Sequence, residues 1–314
     1  MLPAAREGDR AALARLLSLV ERGGEGAREV GRLTHGQGDD AYTVGLTGAP
    51  GAGKSTLTSA LVRVVRACGD RVAVLAIDPS SPFTGGAILG DRVRMGDHAT
   101  DDAVFIRSMA TRGHLGGLAV ATPEAVRVLT AAGFPWVLVE TVGVGQVEVE
   151  VAGHADTTVV VVNPGWGDAV QANKAGLLEV ADVFVVNKAD RPGAAETIKD
   201  LDRMLDLAGA GHAPGSWRAP VVATTASSAT GEGVAEVWDA VLAHRDHLLA
   251  GSGEGLAERR RRRAADEVTR LVAARLLERA RAATGTARGT ELAEAVARGE
   301  LDPWTAADEL LPDL

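Results

Sequence analysis

Tyr42-Thr-Val-Gly-Leu-Thr-Gly48-Ala-Pro-Gly-Ala-Gly-Lys54-Ser55-Thr56-Leu-Thr-Ser-Ala-Leu-Val62 joins a short apolar run, a glycine-rich loop and the start of a helical pattern. Residues 48–55 fit G-x4-G-K-[ST] in the one context that gives this pattern meaning, directly after a strand and directly before a helix. Gly48 and Gly53 let the backbone fold tightly enough for successive N–H groups to point at a β-phosphate. The helix N-terminus at Lys54–Thr56 adds its dipole. Gly48, Ala49, Pro50, Gly51, Ala52, Gly53, Lys54, Ser55 and Thr56 are therefore the candidate phosphate cradle. Lys54 would bridge β- and γ-phosphates as a point charge and Ser55 would ligate Mg²⁺.

Outward from this loop, apolar runs alternate with helical stretches. Strands are expected at Tyr42–Leu46, Val72–Ile77, Val104–Ile106, Trp136–Glu140, Thr158–Val162, Val183–Asn187 and Val221–Thr224. Helices are expected at Ser55–Cys68, at Pro123–Ala132 with Thr122 as cap and Pro123 at the first position, and at Val234–Leu248. Unbroken Val/Leu/Ile strands are buried on both faces, which predicts an α/β fold with a mostly parallel sheet covered by helices. Residues 1–40 read as a helical extension, with Asp9 capping a helix that Gly23-Gly24 end. Residues 41–250 form the nucleotide domain. Residues 251–314 begin with the hinge-like GSGEG and continue as an arginine-rich helix, Leu256–Ala283, and two shorter ones. This tail has too few apolar residues for a core of its own, so it must pack on its own domain or on a second copy. The run Arg259–Arg263 reads as a solvated face or a surface for an acidic partner.

Composition narrows the classes. Net charge is −9 in 314 residues, which argues against nonspecific nucleic-acid binding. Cys68 is the one cysteine, excluding an internal disulfide framework, a cysteine-rich zinc site and an iron–sulfur cluster, and it is expected to lie buried in a helix. No apolar run approaches a membrane span, and Met1–Asp9 lack a signal-peptide core, so a reducing cytoplasm is expected. Of 33 cationic residues only Lys54, Lys174, Lys188 and Lys199 are lysine. Where arginine is the default, a retained lysine marks a place needing a compact ammonium; Lys199, on a helix surface, is the exception.

Asn187-Lys188-Ala189-Asp190 has the N-K-x-D spacing at the end of an apolar strand. A carboxylate at Asp190 can accept from guanine N1 and its 2-amino group, donors that adenine lacks. Lys188 can lie along the base, and Asn187 can tie this loop to the phosphate loop. Thr225, Ser227 and Ser228, after the next strand, belong to a loop able to offer a backbone N–H to the guanine carbonyl. GTP and GDP are thus the expected ligands. Asp78 closes the second strand, Glu140 closes the strand Trp136–Glu140 and opens Glu-Thr-Val-Gly143, and Asp91 sits in a glycine-flanked stretch. With Ser55 they form the candidate Mg²⁺ set. Gln146 is a candidate for orienting water.

Six segments, GAPGAGKST (48–56), AIDPSSPFTGGAILGDRVRM (76–95), RSMATRGHLGGLA (107–119), ETVGVGQ (140–146), NPGWGDAVQANKAG (163–176) and NKAD (187–190), in this order resemble the MeaB-type GTPases. The similarity runs from about Ala41 to Leu248. It implies a P-loop GTPase that acts as chaperone to an adenosylcobalamin-dependent acyl-CoA mutase of the methylmalonyl-CoA type, gating cofactor loading and protecting the mutase. By position it assigns Lys54 and Ser55 to phosphate and metal, Asp78, Asp91 and Glu140 to the acidic set near Mg²⁺, and Asn187, Lys188 and Asp190 to guanine. Pro164–Lys174 then matches a further switch loop in which Lys174 reports nucleotide state, placing it with Lys54, Asp78 and Glu140 among the catalytic candidates. The resemblance also implies that the C-terminal arm makes a homodimer. Gln146-Val147 departs from the expected serine after glutamine. A nickel-insertion GTPase and a transport-associated ATPase or kinase are the competing readings. Scattered histidines speak against the first and Asp190 against the second.

Overall fold

The structure, a computed structural model, describes residues 1–38, 40–78, 98, 100–110, 115–141, 155–165, 179–209, 211, 215–251 and 255–310. Seven strands form one sheet: β1 (Tyr42–Gly48), β2 (Val72–Asp78), β3 (Val104–Ala110), β4 (Trp136–Thr141), β5 (Thr157–Val162), β6 (Val183–Asn187) and β7 (Val221–Thr224). Their order is β3-β2-β4-β1-β5-β6-β7 and every pairing is parallel. All the expected strands are present, several longer by one to four residues, because ladder hydrogen bonds continue beyond the unbroken apolar runs. β1 lies between β4 and β5, so the chain leaves it toward one half of the sheet and returns to the other. Ligands bind outside the carboxyl ends of parallel strands at such a reversal.

The alternation of side chains splits the core in two. Val44, Leu46, Val72, Val74, Leu138, Val159, Val161 and Val185 face α4 (Lys54–Ala67) and a later helix, Val234–Leu249. Their neighbours Leu75, Ile77, Val137 and Val139 face the opposite side, where α1 (Leu2–Arg6), α2 (Arg10–Arg22), α3 (Gly24–Thr34) and α5 (Leu115–Ala131) gather. Val160, Val162, Phe184 and Val186 continue that face under α6 (Ala194–Leu207). Each fully buried Val or Leu contributes about 1.5–3 kcal/mol. The N-terminal helices therefore complete the second core. Asp9 caps α2 through Ala11 and Ala12 N–H, and Arg107 on β3 pairs with Glu21 on α2 at 2.9 Å.

Three local expectations are corrected. Pro123 lies inside α5, which begins eight residues earlier at Leu115; Thr122 is buried within the helix and does not cap it. An internal proline removes one backbone hydrogen bond and costs about 3 kcal/mol, which the packing of Ala125, Val128 and Leu129 into the second core offsets. Cys68 is exposed, because α4 ends at Ala67 and leaves it as the C-cap. The arginine run is no plain solvated face: Arg259, Arg260 and Arg263 turn onto aspartates of their own chain.

After α7 (Val234–Leu249), α8 spans Leu256–Thr284, followed by α9 (Ala287–Ala297) and α10 (Pro303–Leu310). Two compact units emerge, Met1–Arg263 and Ala264–Leu314. In the second, Thr286 caps α9 through Gly289 N–H and Arg288 pairs with Glu309 at 2.6 Å. Among its described residues only Gly289 and Leu292 are buried, while Val268, Val272, Leu277 and Trp304 are exposed.

Candidate nucleotide site

The phosphate loop is held open by backbone that only glycine adopts cheaply. Gly48, Gly51 and Gly53 have φ of 132°, 74° and 95°. A Cβ on Gly48 would stand 2.0 Å from Val161 O, and one on Gly53 2.3 Å from Asn187 Nδ2. Gly53 is the N-cap of α4 and makes no side-chain cap, so the first N–H groups of this 14-residue helix are not answered by a capping side chain. Uncapped helix N–H groups beside a glycine loop are what an anion requires. Lys54 is buried, and its Nζ donates to Gly48 O at 2.5 Å and Ala49 O at 3.2 Å.

Directly beside this cradle, β4 pairs Glu140 with Leu46 of β1. Glu140 is fully buried and accepts from Ser55 Oγ at 2.5 Å. A serine hydroxyl and a buried carboxylate are hard oxygen donors of the kind Mg²⁺ prefers. Asp78 ends β2 at the same sheet edge. Asp91, Gln146 and Lys174 lie outside the described residues, as does the stretch of the candidate switch beyond Gly165.

Three loops meet at Asn187. Its Nδ2 donates to Ala52 O at 2.8 Å, and its Oδ1 accepts from Thr224 Oγ1 at 3.1 Å and from Ala226 N–H at 3.2 Å. Lys188 has φ 61° and its Nζ donates to Gly51 O at 2.6 Å. Asp190 lies in the same loop and is exposed. Across from it, Thr225 N–H donates to Glu232 O and Ser228 N–H to Thr225 O. A Cβ on Gly233 would stand 2.0 Å from Ala223 O, so that loop too depends on glycine. Thr224, buried and essential to the Asn187 hub, was not singled out by sequence. A hydroxyl at the carboxyl end of the strand after N-K-x-D was the available signal.

At the amino edge of the sheet lies a second polar cluster. Asp156 and Asp182 directly precede β5 and β6. Asp156 accepts from Thr43 N–H, Thr43 Oγ1, Arg260 and Arg263; Asp182 accepts from Thr158 N–H, Arg259 and His244. Burial pushes the Asp156 carboxyl up, but the Arg263 and Arg260 charges outweigh it and hold the group below its ordinary value. Burial pushes His244 down to about 4 against the pull of Asp182. Its Nε2–H therefore donates to Asp182 at 3.3 Å and its Nδ1 accepts from Thr157 Oγ1 at 2.8 Å, which in turn accepts from Tyr42 O–H at 2.7 Å. This order resembles a nucleophile relay, yet Thr157 is wholly buried, so its work is structural. Aspartate immediately before two unbroken apolar strands was the signal in the sequence.

Known proteins resemble this chain in sequence and in fold. A family profile described as methylmalonyl Co-A mutase-associated GTPase MeaB matches residues 13–285. The chain is 48% identical over 309 residues to a candidate GTPase of Pyrococcus abyssi, covering 98% of this chain and 94% of that one. It is 35% identical over 330 residues to the mouse mitochondrial methylmalonic aciduria type A homolog, covering 97% and 76%. A crystal structure described as an LAO/AO transport system kinase superposes with a TM-score of 0.71 at 26% identity, covering 98% and 94%.

Proposed function

The chain belongs to the MeaB family of GTPases and is itself a GTPase, and on that premise we propose that it serves an adenosylcobalamin-dependent acyl-CoA mutase as a GTP-driven chaperone. One observation carries the nucleotide half of this reading. Phosphate loop, base loop and the Ser55–Glu140 pair converge on one sheet edge, with Asn187 and Lys188 bonded to the phosphate loop itself.

In this reading the N–H groups of residues 48–56 and the Lys54 ammonium hold the β- and γ-phosphates, and Lys54 exchanges its carbonyl partners for phosphate oxygens. Asp190 selects guanine, Lys188 lies along the base, and the Thr225, Ser227 and Ser228 loop faces the guanine carbonyl. Ser55 with Glu140, Asp78 and Asp91 would hold Mg²⁺. When bound, the ion offsets charge on the phosphate oxygens during hydrolysis. Lys174 would report nucleotide state to the partner.

The mutase half of the proposal draws on family membership and on the name of the mouse relative. The second unit, with its exposed Val268, Val272 and Leu277, would form a homodimer arm. The domain reading stays 1–40, 41–250 and 251–314, in the cytoplasm. Among the described residues no helix is long and apolar enough to cross a membrane. Calorimetry comparing GTP, GDP and ATP tests the first half; ATP binding as tight as GTP would favour a kinase- or transport-type role. A pull-down with a purified mutase, with and without adenosylcobalamin, tests the second. Failure to retain the mutase in every nucleotide state would sink the chaperone assignment.

A further inference from the structure

The cluster at the amino edge is placed to do more than stabilise. Arg259 donates to both Asp182 oxygens at 2.8 and 2.9 Å and to Asp156 O at 2.6 Å. Arg260 reaches Asp156 and also Ala41 O, 2.7 Å away; Arg263 reaches Asp156. Asp156 in turn holds Thr43, and Asp182 holds Thr158. The first two turns of α8 are thus bonded to the starting residues of β1, β5 and β6. The compact unit ends at Arg263, the last of these arginines.

At their other ends, the same three strands carry the nucleotide loops. β1 ends at Gly48, β5 at Val162 beside it, and β6 at Asn187. At about 3.3 Å per residue the strands are roughly 15–23 Å long. Each is hydrogen-bonded on both sides, so it moves along its axis as a rod or not at all. There is no slack at the loop end: Gly48 pairs with Val161, whose carbonyl occupies the space of a Gly48 Cβ.

We propose that Arg259, Arg260 and Arg263 are positioning residues for the guanine nucleotide. They act through Asp156 and Asp182 to set the axial placement of the strands that end in the phosphate and base loops. The inference rests on the GTP reading above. The physical reason is that Asp156 and Asp182 are buried carboxylates whose energy depends steeply on keeping their cationic partners. The strand starts are therefore held at one position rather than a range. The alternative, a clamp that adds stability and nothing else, predicts no change in nucleotide affinity as long as the protein is folded.

The experiment uses the full chain. GTP and GDP affinities of Arg263→Gln and Asp182→Asn are measured by calorimetry well below each variant's melting onset, alongside thermal melts. Arg263→Lys keeps the charge, and Arg261→Gln is a control, since among the described residues Arg261 is exposed and pairs with Glu258 on its own helix. We expect Arg263→Gln and Asp182→Asn to weaken GTP by about three- to thirtyfold. Arg263→Lys should recover most of the loss and Arg261→Gln should match wild type. A lowered melting temperature with affinities within twofold of wild type, in whichever of the two variants folds, would overturn the proposal. Wild type that binds no guanine nucleotide would instead overturn the GTP reading, and the positioning role with it.

Discussion

Asn187→Asp changes one donor into an acceptor without changing shape, at a position where the surroundings dictate the response. Asn187 is 3% exposed, so the new carboxyl sits in the protein interior with one oxygen 2.8 Å from Ala52 O. Ionised, it would face a carbonyl with nothing to share; protonated, it can again donate to Ala52 O. Burial and the carbonyl both favour the neutral acid, the Thr224 hydroxyl and Ala226 N–H on the other oxygen pull the opposite way, and full burial alone raises a carboxyl by up to about 3–5 units, from about 3.9 toward 7–9. A folded-state value above the unfolded one means the folded protein holds the proton more tightly. The contribution of this carboxyl to stability is then fullest below pH about 4 and falls by about 1.4 kcal/mol per unit until the folded value is reached. Between pH 4 and 7 the loss reaches at most about 4 kcal/mol, a large part of a typical domain's 5–15 kcal/mol. GTP affinity should move in parallel, weak at pH 8.5 and recovering toward pH 6, while wild type stays nearly flat. Calorimetry and thermal melts across this range check both quantities. A variant whose GTP affinity and melting temperature track wild type at every pH would refute the bridging role of Asn187.

Asp190→Asn should weaken GTP by about 2–3 kcal/mol and favour xanthosine triphosphate, whose 2-oxo group needs a donor; competition binding reads the switch. Gly53→Ala puts a methyl group 2.3 Å from Asn187 Nδ2 at a φ of 95°, so both GTP binding and hydrolysis should fall at least tenfold, about 1.4 kcal/mol or more, with equal rates arguing against this backbone shape. His244, held at about 4, gives a separate acid signature. Because its folded value lies below the ordinary 6.5, stability should decline as pH falls from 6.5 to 4, by about 3 kcal/mol in all. Urea melts of His244→Asn should lack that slope.

Legibility in the sequence depended on range. The phosphate loop, the N-K-x-D loop and the seven strands are local patterns of glycine, β-branched runs and capping residues, and they are readable one window at a time. Pro123 misled because its preference for a first helical position is local, while the packing of α5 against the sheet and the N-terminal helices is not. Cys68 misled by a single residue, since the end of α4 decides between burial and exposure. The arginine run misled most. Arg260 and Ala41 are 219 positions apart, and no window holds Arg259, Arg260 or Arg263 together with the aspartate that neutralises it. Thr224 was passed over for the same reason: its partner is a side chain on another loop.

That sequence distance has a temporal side. Chains are made from the amino end at about 5–20 residues per second, so Arg259 emerges after Asp182, 77 positions earlier, by roughly 4–15 s. By the end of that interval the emerging domain has its glycine loops, its sheet and two carboxylates destined for the interior, but no arginine to meet them. Water must serve them until α8 leaves the ribosome. The sheet's amino edge is accordingly the last part of the domain to close, and a nascent chain arrested before residue 256 should be cleaved there by protease far faster than the finished protein.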